Sequence, residues 1–246
     1  MDPILEGFQL IRLTRIDSTN NFAAKLQDAG SVSGPAAILA EFQTAGRGQR
    51  GAQWESEAGA NLTCSLLPGG TWPARASFAL NMRAAVSICQ AIEPFVHHAR
   101  VQIKWPNDIL INRQKVAGIL VENQLAGDTV EQSIIGIGLN LNQLTFSAPG
   151  ATSLSTFSGQ RHRPEDVLRD ILYHWNRWED QLEELQRAFM QRLLGTDAAE
   201  PYEAAGKRFQ ARIQAISPEG LLTLCEPKGD CREFREKEVR WLGGQN

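Results

Sequence analysis

The chain has 246 residues, 42% of them hydrophobic and 22% charged, and 25 Lys and Arg against 28 Asp and Glu leave a net charge of −3. This is the composition of an ordinary soluble globular protein, long enough for one large domain plus a small appendage, and it lacks a nucleic-acid footprint. No apolar run reaches the roughly 18 residues of a membrane helix, and the amino terminus lacks an export signal's basic and apolar regions, so a cytoplasmic protein is expected.

In chain order, Ser18, Thr19 and Asn20 place capping residues before Phe22, Leu26 and Ala29, and Gly30 supplies a stop, which predicts a short amphipathic helix. The apolar run 36–42, bounded by Pro35, reads as a buried strand and 61–67 as another, so the glycine-rich segment between them joins two strands. Phe78, Met82, Ala85, Val86, Cys89 and Ile92 recur at helical spacing within 74–92, a long core helix that Pro94 ends. Residues 101–104, 109–112, 116–122 and 133–141 are four further strand candidates, with a hairpin turn at 112–115. Six strands with few intervening helices indicate an α+β sheet.

Residues 142–163, rich in Ser, Thr, Gly and Pro, read as a loop or lid. Pro164 then opens the longest helical pattern, with a stripe through Val167, Leu168, Ile171, Trp175, Trp178, Leu182, Leu185, Phe189 and Leu193. Beyond Gly206 the pattern shortens to strands at 209–216, 221–225, 232–235 and 239–242, which predicts a small β-barrel appendage. The cysteines at 64, 89, 225 and 231 form no Cys-x-x-Cys pair and lie in apolar or strand-like runs, so reduced thiols are expected rather than a zinc site or disulfide framework.

The chemistry concentrates around 41–61 and 104–108. Gly46, Gly48 and Gly51 let backbone N–H groups turn toward a ligand, and Arg47 and Arg50 add guanidinium forks suited to carboxylate or phosphate. The same six residues satisfy G-x-G-x-x-G, but a dinucleotide loop opens a helix whereas 52–59 lead into a strand, and no Gly-Lys-Ser/Thr makes a Walker loop. An anion-handling loop suited to acyl-phosphate chemistry remains. Several neighbours carry two readings from residues alone: Ser18 to Asn20 as cap or ligand site, Gly118 as close approach or strand irregularity, Trp54 and Trp105 as site walls or core, Asn107 and Asp108 as ligands or turn. His97 and His98 follow a helix end without metal-ligand spacing and are expected to be solvated.

Five segments occur in one order: Ser18 to Asn20; Gln43 to Gly51 with Trp54; Lys104-Trp105-Pro106-Asn107-Asp108; Lys115 to Glu122; and Gly136 to Asn142. Together they resemble the biotin protein ligase family over nearly the whole chain. The resemblance implies a class II aminoacyl-tRNA synthetase-like catalytic domain over 1–200, a mixed sheet flanked by helices, and an SH3-like β-barrel over 201–246. It also implies two reactions in one site: biotin and MgATP give biotinoyl-5′-AMP and pyrophosphate, and a lysine of a biotin carboxyl carrier protein then displaces AMP.

By that resemblance Ser18, Thr19, Asn20 and Gln43 contact the biotin ureido ring. Gly46, Arg47, Gly48, Lys104, Gly118 and Leu120 complete the biotin site, and Arg47, Arg50, Trp54, Trp105, Asn107 and Asn140 the adenylate site. Arg47 and Lys104 bridge the reacting carboxylate and α-phosphate, Asp108 assists the acceptor lysine, and no residue is assigned to the metal. Gln49 and Ala52 stand where many relatives carry arginine, or arginine or asparagine, which affects the segment expected to guard the adenylate. The short type without an amino-terminal DNA-binding domain is expected, with neither DNA nor membrane as partner and a homodimer through the sheet edge as an option. Two alternatives remain open at this level: a lipoate or octanoate ligase on a similar fold, and a non-catalytic biotin sensor.

Overall fold

The computed structural model describes residues 4–243, with Arg50 as backbone only. The chain runs β1 (Ile4–Leu5), β2 (Phe8–Ile16), α1 (Thr19–Asp28), β3 (Ala36–Gln43), β4 (Leu62–Leu67), β5 (Trp72–Pro73), α2 (Phe78–Ile92), β6 (Val101–Lys104), β7 (Asp108–Ile111), β8 (Gln114–Ala126) and β9 (Thr129–Leu139). There follow α3 (Leu154–Ser158), α4 (Pro164–Arg177), α5 (Leu182–Arg192), β10 (Glu200–Ala204), β11 (Lys207–Ile216), β12 (Leu222–Cys225), β13 (Cys231–Phe234) and β14 (Arg240–Trp241).

The first nine strands form one mixed sheet in the order β1-β2-β3-β4-β9-β8-β7-β6, with β5 added against β9. The β2–β3 pair is parallel because α1 carries the chain back between them, and the other pairs are antiparallel. Alternation along β3 divides the core: Ala36 and Ile38 face Ala23 of α1, whereas Ala37 faces the larger cluster beneath α2. All six residues of β4 are buried, the apolar ones in the core and the Thr63 and Ser65 hydroxyls hydrogen-bonded. Ser18 takes the extended cap position before α1, but its hydroxyl makes no capping hydrogen bond. Asn112 and Arg113 form the two-residue β7–β8 turn with φ of 47° and 68°, the left-handed geometry that such turns require.

Besides β1, β2, β5 and β10, which the expected six-strand sheet and four-strand appendage left out, four features depart from the sequence-based expectation. The single long helix is two, α4 and α5, because the chain caps at Trp178 and turns at Asp180 with φ of 58°. Segment 142–163 is tied down rather than lid-like. The Asn142 amide donates to the carbonyls of Ala60 (3.0 Å) and His162 (2.8 Å) and accepts from the His162 N–H (2.8 Å), and α3 forms within the segment. The terminal strands make a five-stranded antiparallel sheet, order β13-β12-β11-β10-β14, and among the described residues no ladder joins β13 to β14, so this sheet is open.

The fourth correction concerns sulfur. Cys225 and Cys231 are direct cross-strand partners in the β12–β13 hairpin and are joined as a disulfide; Cys64 and Cys89 are free and buried. Register creates this pair, and cysteine spacing alone does not report register.

Both sheets share one apolar core, with Tyr202, Ile213, Leu222 and Phe234 joined to the cluster around α2. The Trp105 indole N–H donates to the Gly220 carbonyl at 3.1 Å, and Ile213 N–H to Gly195 O at 2.8 Å. Among the described residues no helix is long and apolar enough to cross a membrane.

Candidate active site

A cavity of about 490 Å³ opens where the start of α1, the end of β3, the glycine loop, β8 and β9 meet the terminal sheet. That volume suits a small organic ligand. Its floor is bare sheet: Gly118 of β8 lies opposite Gly138 of β9, and Leu120 opposite Gly136. A Cβ on Gly138 would run into the Trp54 indole, and one on Gly136 into the Asn20 amide. The missing side chains therefore let Trp54 and Asn20 lie directly on the strands.

The glycine loop is a small hairpin. Arg47 bridges to Gln53, the Gly48 N–H donates to Ala52 O at 2.7 Å, and the Trp54 N–H to Gly46 O at 3.0 Å, with a single 3-10 turn at Gln49–Gly51. Gly46 is buried at the base, where a Cβ would strike the Trp54 carbonyl. Its role is close packing, and it is not part of the cavity wall.

One end of the cavity is polar and uncharged. The Thr19 N–H and hydroxyl donate to Gln43 Oε1 at 2.7 and 3.1 Å. The Ser65 hydroxyl lies 2.7 Å from Thr19 Oγ1 and 2.6 Å from Asn20 Oδ1. Ser18, Thr19 and Asn20 are nearly fully buried, and the Thr19 and Asn20 side chains are held in place by these neighbours.

The other end is charged. Lys104 Nζ lies 3.1 Å from Asp108 Oδ2, and Lys115 Nζ lies 2.6 Å from Asp108 Oδ1. One carboxylate, 15% exposed, thus aligns two ammonium groups on the cavity wall. Arg47 belongs with α1 rather than with the lysines: it reaches Glu122, which also accepts from the Asn20 amide, through both terminal nitrogens at 2.6 and 3.2 Å, and Asn21 Oδ1 at 2.9 Å. The terminal sheet adds Lys237, Arg240 and Trp241, with Lys104 Nζ 5.8 Å from the Trp241 ring. The Cys64 thiol also lines the cavity, but burial pushes its pKa up to about 12, so it is not a nucleophile at neutral pH.

Of the sequence-predicted residues, the structure brings to this cavity Ser18, Thr19, Asn20, Gln43, Arg47, Gly48, Trp54, Lys104, Trp105, Asn107, Asp108, Gly118 and Leu120. Asn107 is buried, its amide donating to Ile119 O at 2.5 Å. Asn140 lies behind the wall, where its amide donates to Thr152 O at 3.0 Å and its buried Oδ1 has no protein partner. The Arg50 side chain lies outside the described structure. Sequence reasoning gave no role to Lys115, Glu122, Gly136 or Gly138, although all four lie within the quoted motifs. The available signal was the i, i+2 glycine spacing that clears one strand face. His97 and His98 are exposed, and no three His, Cys, Asp or Glu side chains cluster as a metal site among the described residues.

Residues 13–140 match the model of the biotin/lipoate A/B protein ligase family. A biotin–[acetyl-CoA-carboxylase] ligase of Paracoccus denitrificans is 39% identical over 178 residues, 70% of this chain and 73% of the relative. The bifunctional ligase/repressor BirA of Bacillus spizizenii is 39% identical over 171 residues, 68% of this chain and 52% of that protein, so the chain spans about half the length of that relative. The biotin protein ligase of Aquifex aeolicus, solved with biotin and ATP, superposes with a TM-score of 0.73 at 26% identity, covering 95% of this chain and 98% of that one.

Proposed function

Because the chain belongs to the biotin/lipoate A/B protein ligase family, we propose that it is an ATP-dependent biotin protein ligase, forming biotinoyl-5′-AMP and transferring the acyl group to a lysine of a biotin carboxyl carrier protein. The observation that carries the reading is a single cavity with a buried hydrogen-bonding end at Ser18 to Asn20 and Gln43, beside which Arg47 is held through Glu122, and a cationic end at Lys104 and Lys115. Biotin has the matching polarity, with a ureido group needing donors and acceptors at one end and a carboxylate at the other.

In the first step a biotin carboxylate oxygen attacks the α-phosphorus of ATP, the α–β phosphoanhydride bond breaks, and pyrophosphate leaves. Two anions must meet, so cations fixed near both stabilise the transition state more than the separated reactants. Lys104 and Lys115 are held side by side by Asp108, and each ammonium keeps further N–H donors for the ligands. In the second step the neutral carrier amine attacks the acyl carbonyl, AMP departs with the bonding electrons, and the amine proton passes to solvent or a nearby base. Both Asp108 oxygens are engaged by lysines, so we assign Asp108 chiefly to aligning those cations. Magnesium enters with the nucleotide as MgATP, spreading phosphate charge.

We assign the wall residues Arg47 and Gly48 of the glycine hairpin, with Trp54 and Trp105, to covering the adenylate and excluding water, which their position on the cavity wall supports. We read 1–200 as a class II synthetase-like catalytic domain and 201–246 as an SH3-like module. The short antiparallel strands and the register shift between Ile213 and Ala215 support a curled sheet. The carrier is met in the cytoplasm, where ATP and carboxylases work; Leu193 bridges to Ile103 along the outer side of β6, so a homodimer through a sheet edge would use β1 at the opposite end.

Purified protein given MgATP and biotin is expected to release pyrophosphate, with octanoate as the competing acid. Octanoate-dependent release with biotin inert would replace this reading by an octanoate or lipoate ligase, and biotin binding without pyrophosphate would replace it by a sensor.

A further inference from the structure

Glu122 sits near the middle of β8, and its carboxylate is the point where the two ligand-facing segments meet. Oε1 takes the Arg47 Nη2 at 2.6 Å, and Oε2 takes both the Arg47 Nη1 at 3.2 Å and the Asn20 Nδ2 at 2.7 Å. Arg47 belongs to the glycine hairpin and Asn20 to the first turn of α1, 27 positions apart in sequence and joined here through one side chain on a third element.

We propose that Glu122 is a positioning residue for the ligation reaction, fixing the Arg47 fork and the Asn20 amide in one geometry. The inference rests on the ligase reading above and extends it to a residue that does not itself line the cavity.

The chemistry is specific to a carboxylate. An ionised glutamate only accepts hydrogen bonds, so it dictates that Asn20 turns its NH₂ toward β8 and its Oδ1 toward the Ser65 hydroxyl at 2.6 Å. One Nδ2 hydrogen and one Oδ1 lone pair then remain for a ligand. The two-point Arg47 contact likewise fixes the guanidinium plane, which a single contact would leave free to rotate. Asn20 is only 3% exposed and its amide occupies the space above Gly136, so it has little room to find another partner. A glutamine at 122 would keep the shape but turn an NH₂ toward donors on Arg47 or Asn20.

The test combines biotin titration calorimetry with adenylation kinetics on Glu122→Gln, Asn20→Ala, Arg47→Ala and the two double variants. Glu122→Gln is expected to weaken biotin binding and lower kcat/KM for biotin by roughly ten- to a hundred-fold, the scale of a misplaced positioning group. Added to Asn20→Ala or Arg47→Ala, it is expected to cost markedly less, because its partner is already gone. Three outcomes overturn the proposal: unchanged biotin binding and turnover, fully additive losses in both double variants, or tighter biotin binding, which would make Glu122 a placeholder for the ligand's own anion. Loss of the folded state in both Glu122→Gln and Glu122→Asp would assign it to stability and overturn the proposal as well. Failure of the ligase reading is distinguishable on wild type, which would then either bind biotin without releasing pyrophosphate or release it with octanoate while biotin is inert; the calorimetric comparison, made with biotin in the first case and octanoate in the second, still decides the role of Glu122.

Discussion

At the scale of single residues, the site depends on charges held by other charges. Asp108 gathers Lys104 and Lys115, so neither lysine would have to be ordered in the proposed reaction with ATP. Lys115→Ala and Lys104→Ala are each expected to reduce biotinoyl-AMP formation by about two to three orders of magnitude, the range for removing one preorganised donor; a single-turnover assay with labelled biotin measures it, and near-wild-type rates would remove the lysine pair from the mechanism. Lys104 was legible because it opens a distinctive motif. Lys115 was not, because its approach to Asp108 depends on the β7–β8 hairpin folding back through Asn112 and Arg113. Glu122 was illegible for a similar reason: a glutamate in a strand reads as a solvated face until the partners brought by other elements are known.

Between elements, strand periodicity carried far. The strand at 101–104 matches β6 end to end, and the other strand candidates differ from the structure at their ends by a few residues. The α4–α5 break escaped because Trp178 and Leu182 keep helical spacing across it, whereas the backbone reversal at Asp180 leaves no mark in an apolar pattern. Gly138 shows what one strand position contributes: Gly138→Val is expected to displace Trp54 and weaken biotin binding at least about ten-fold, consistent with an overpacking cost of about 1–3 kcal/mol, and calorimetry reads it directly. A second link joins β2 to α4, where Arg12 grips Glu165 at 2.7 and 3.0 Å and holds its carboxyl below the ordinary value of 4.5. A lowered folded-state pKa stabilises the protein above the unfolded value, and the contribution disappears as pH falls through the folded one. Wild type should therefore be slightly more stable than Glu165→Gln at pH 6 to 7, by about 1 kcal/mol or less for so exposed a pair, and the thermal midpoints should converge as pH falls through the lowered folded-state pKa of Glu165.

The whole molecule is two sheets around one core, with a cavity where they meet. Trp105 binds the turn carbonyl at Gly220, and Gly220 has φ of 90° with its missing Cβ directed at Phe78, the first residue of α2. Gly220→Val is thus expected to destabilise the junction by about 1–3 kcal/mol and to speed proteolytic cleavage near residue 200; unchanged denaturant midpoints would mean that the sheets dock independently of this turn. The open terminal sheet and its Cys225–Cys231 bond lay beyond sequence reasoning because both follow from register, which apolar spacing leaves undetermined. In the proposed reaction this cavity joins biotin to AMP and passes the biotinoyl group to a carrier lysine, with AMP leaving. The most direct measurement is pyrophosphate release with labelled biotin followed onto an added biotin carboxyl carrier domain. Biotin- and MgATP-dependent release with label on the carrier lysine is the expected result; biotin bound in the cavity with neither pyrophosphate nor labelled carrier would contradict the claim.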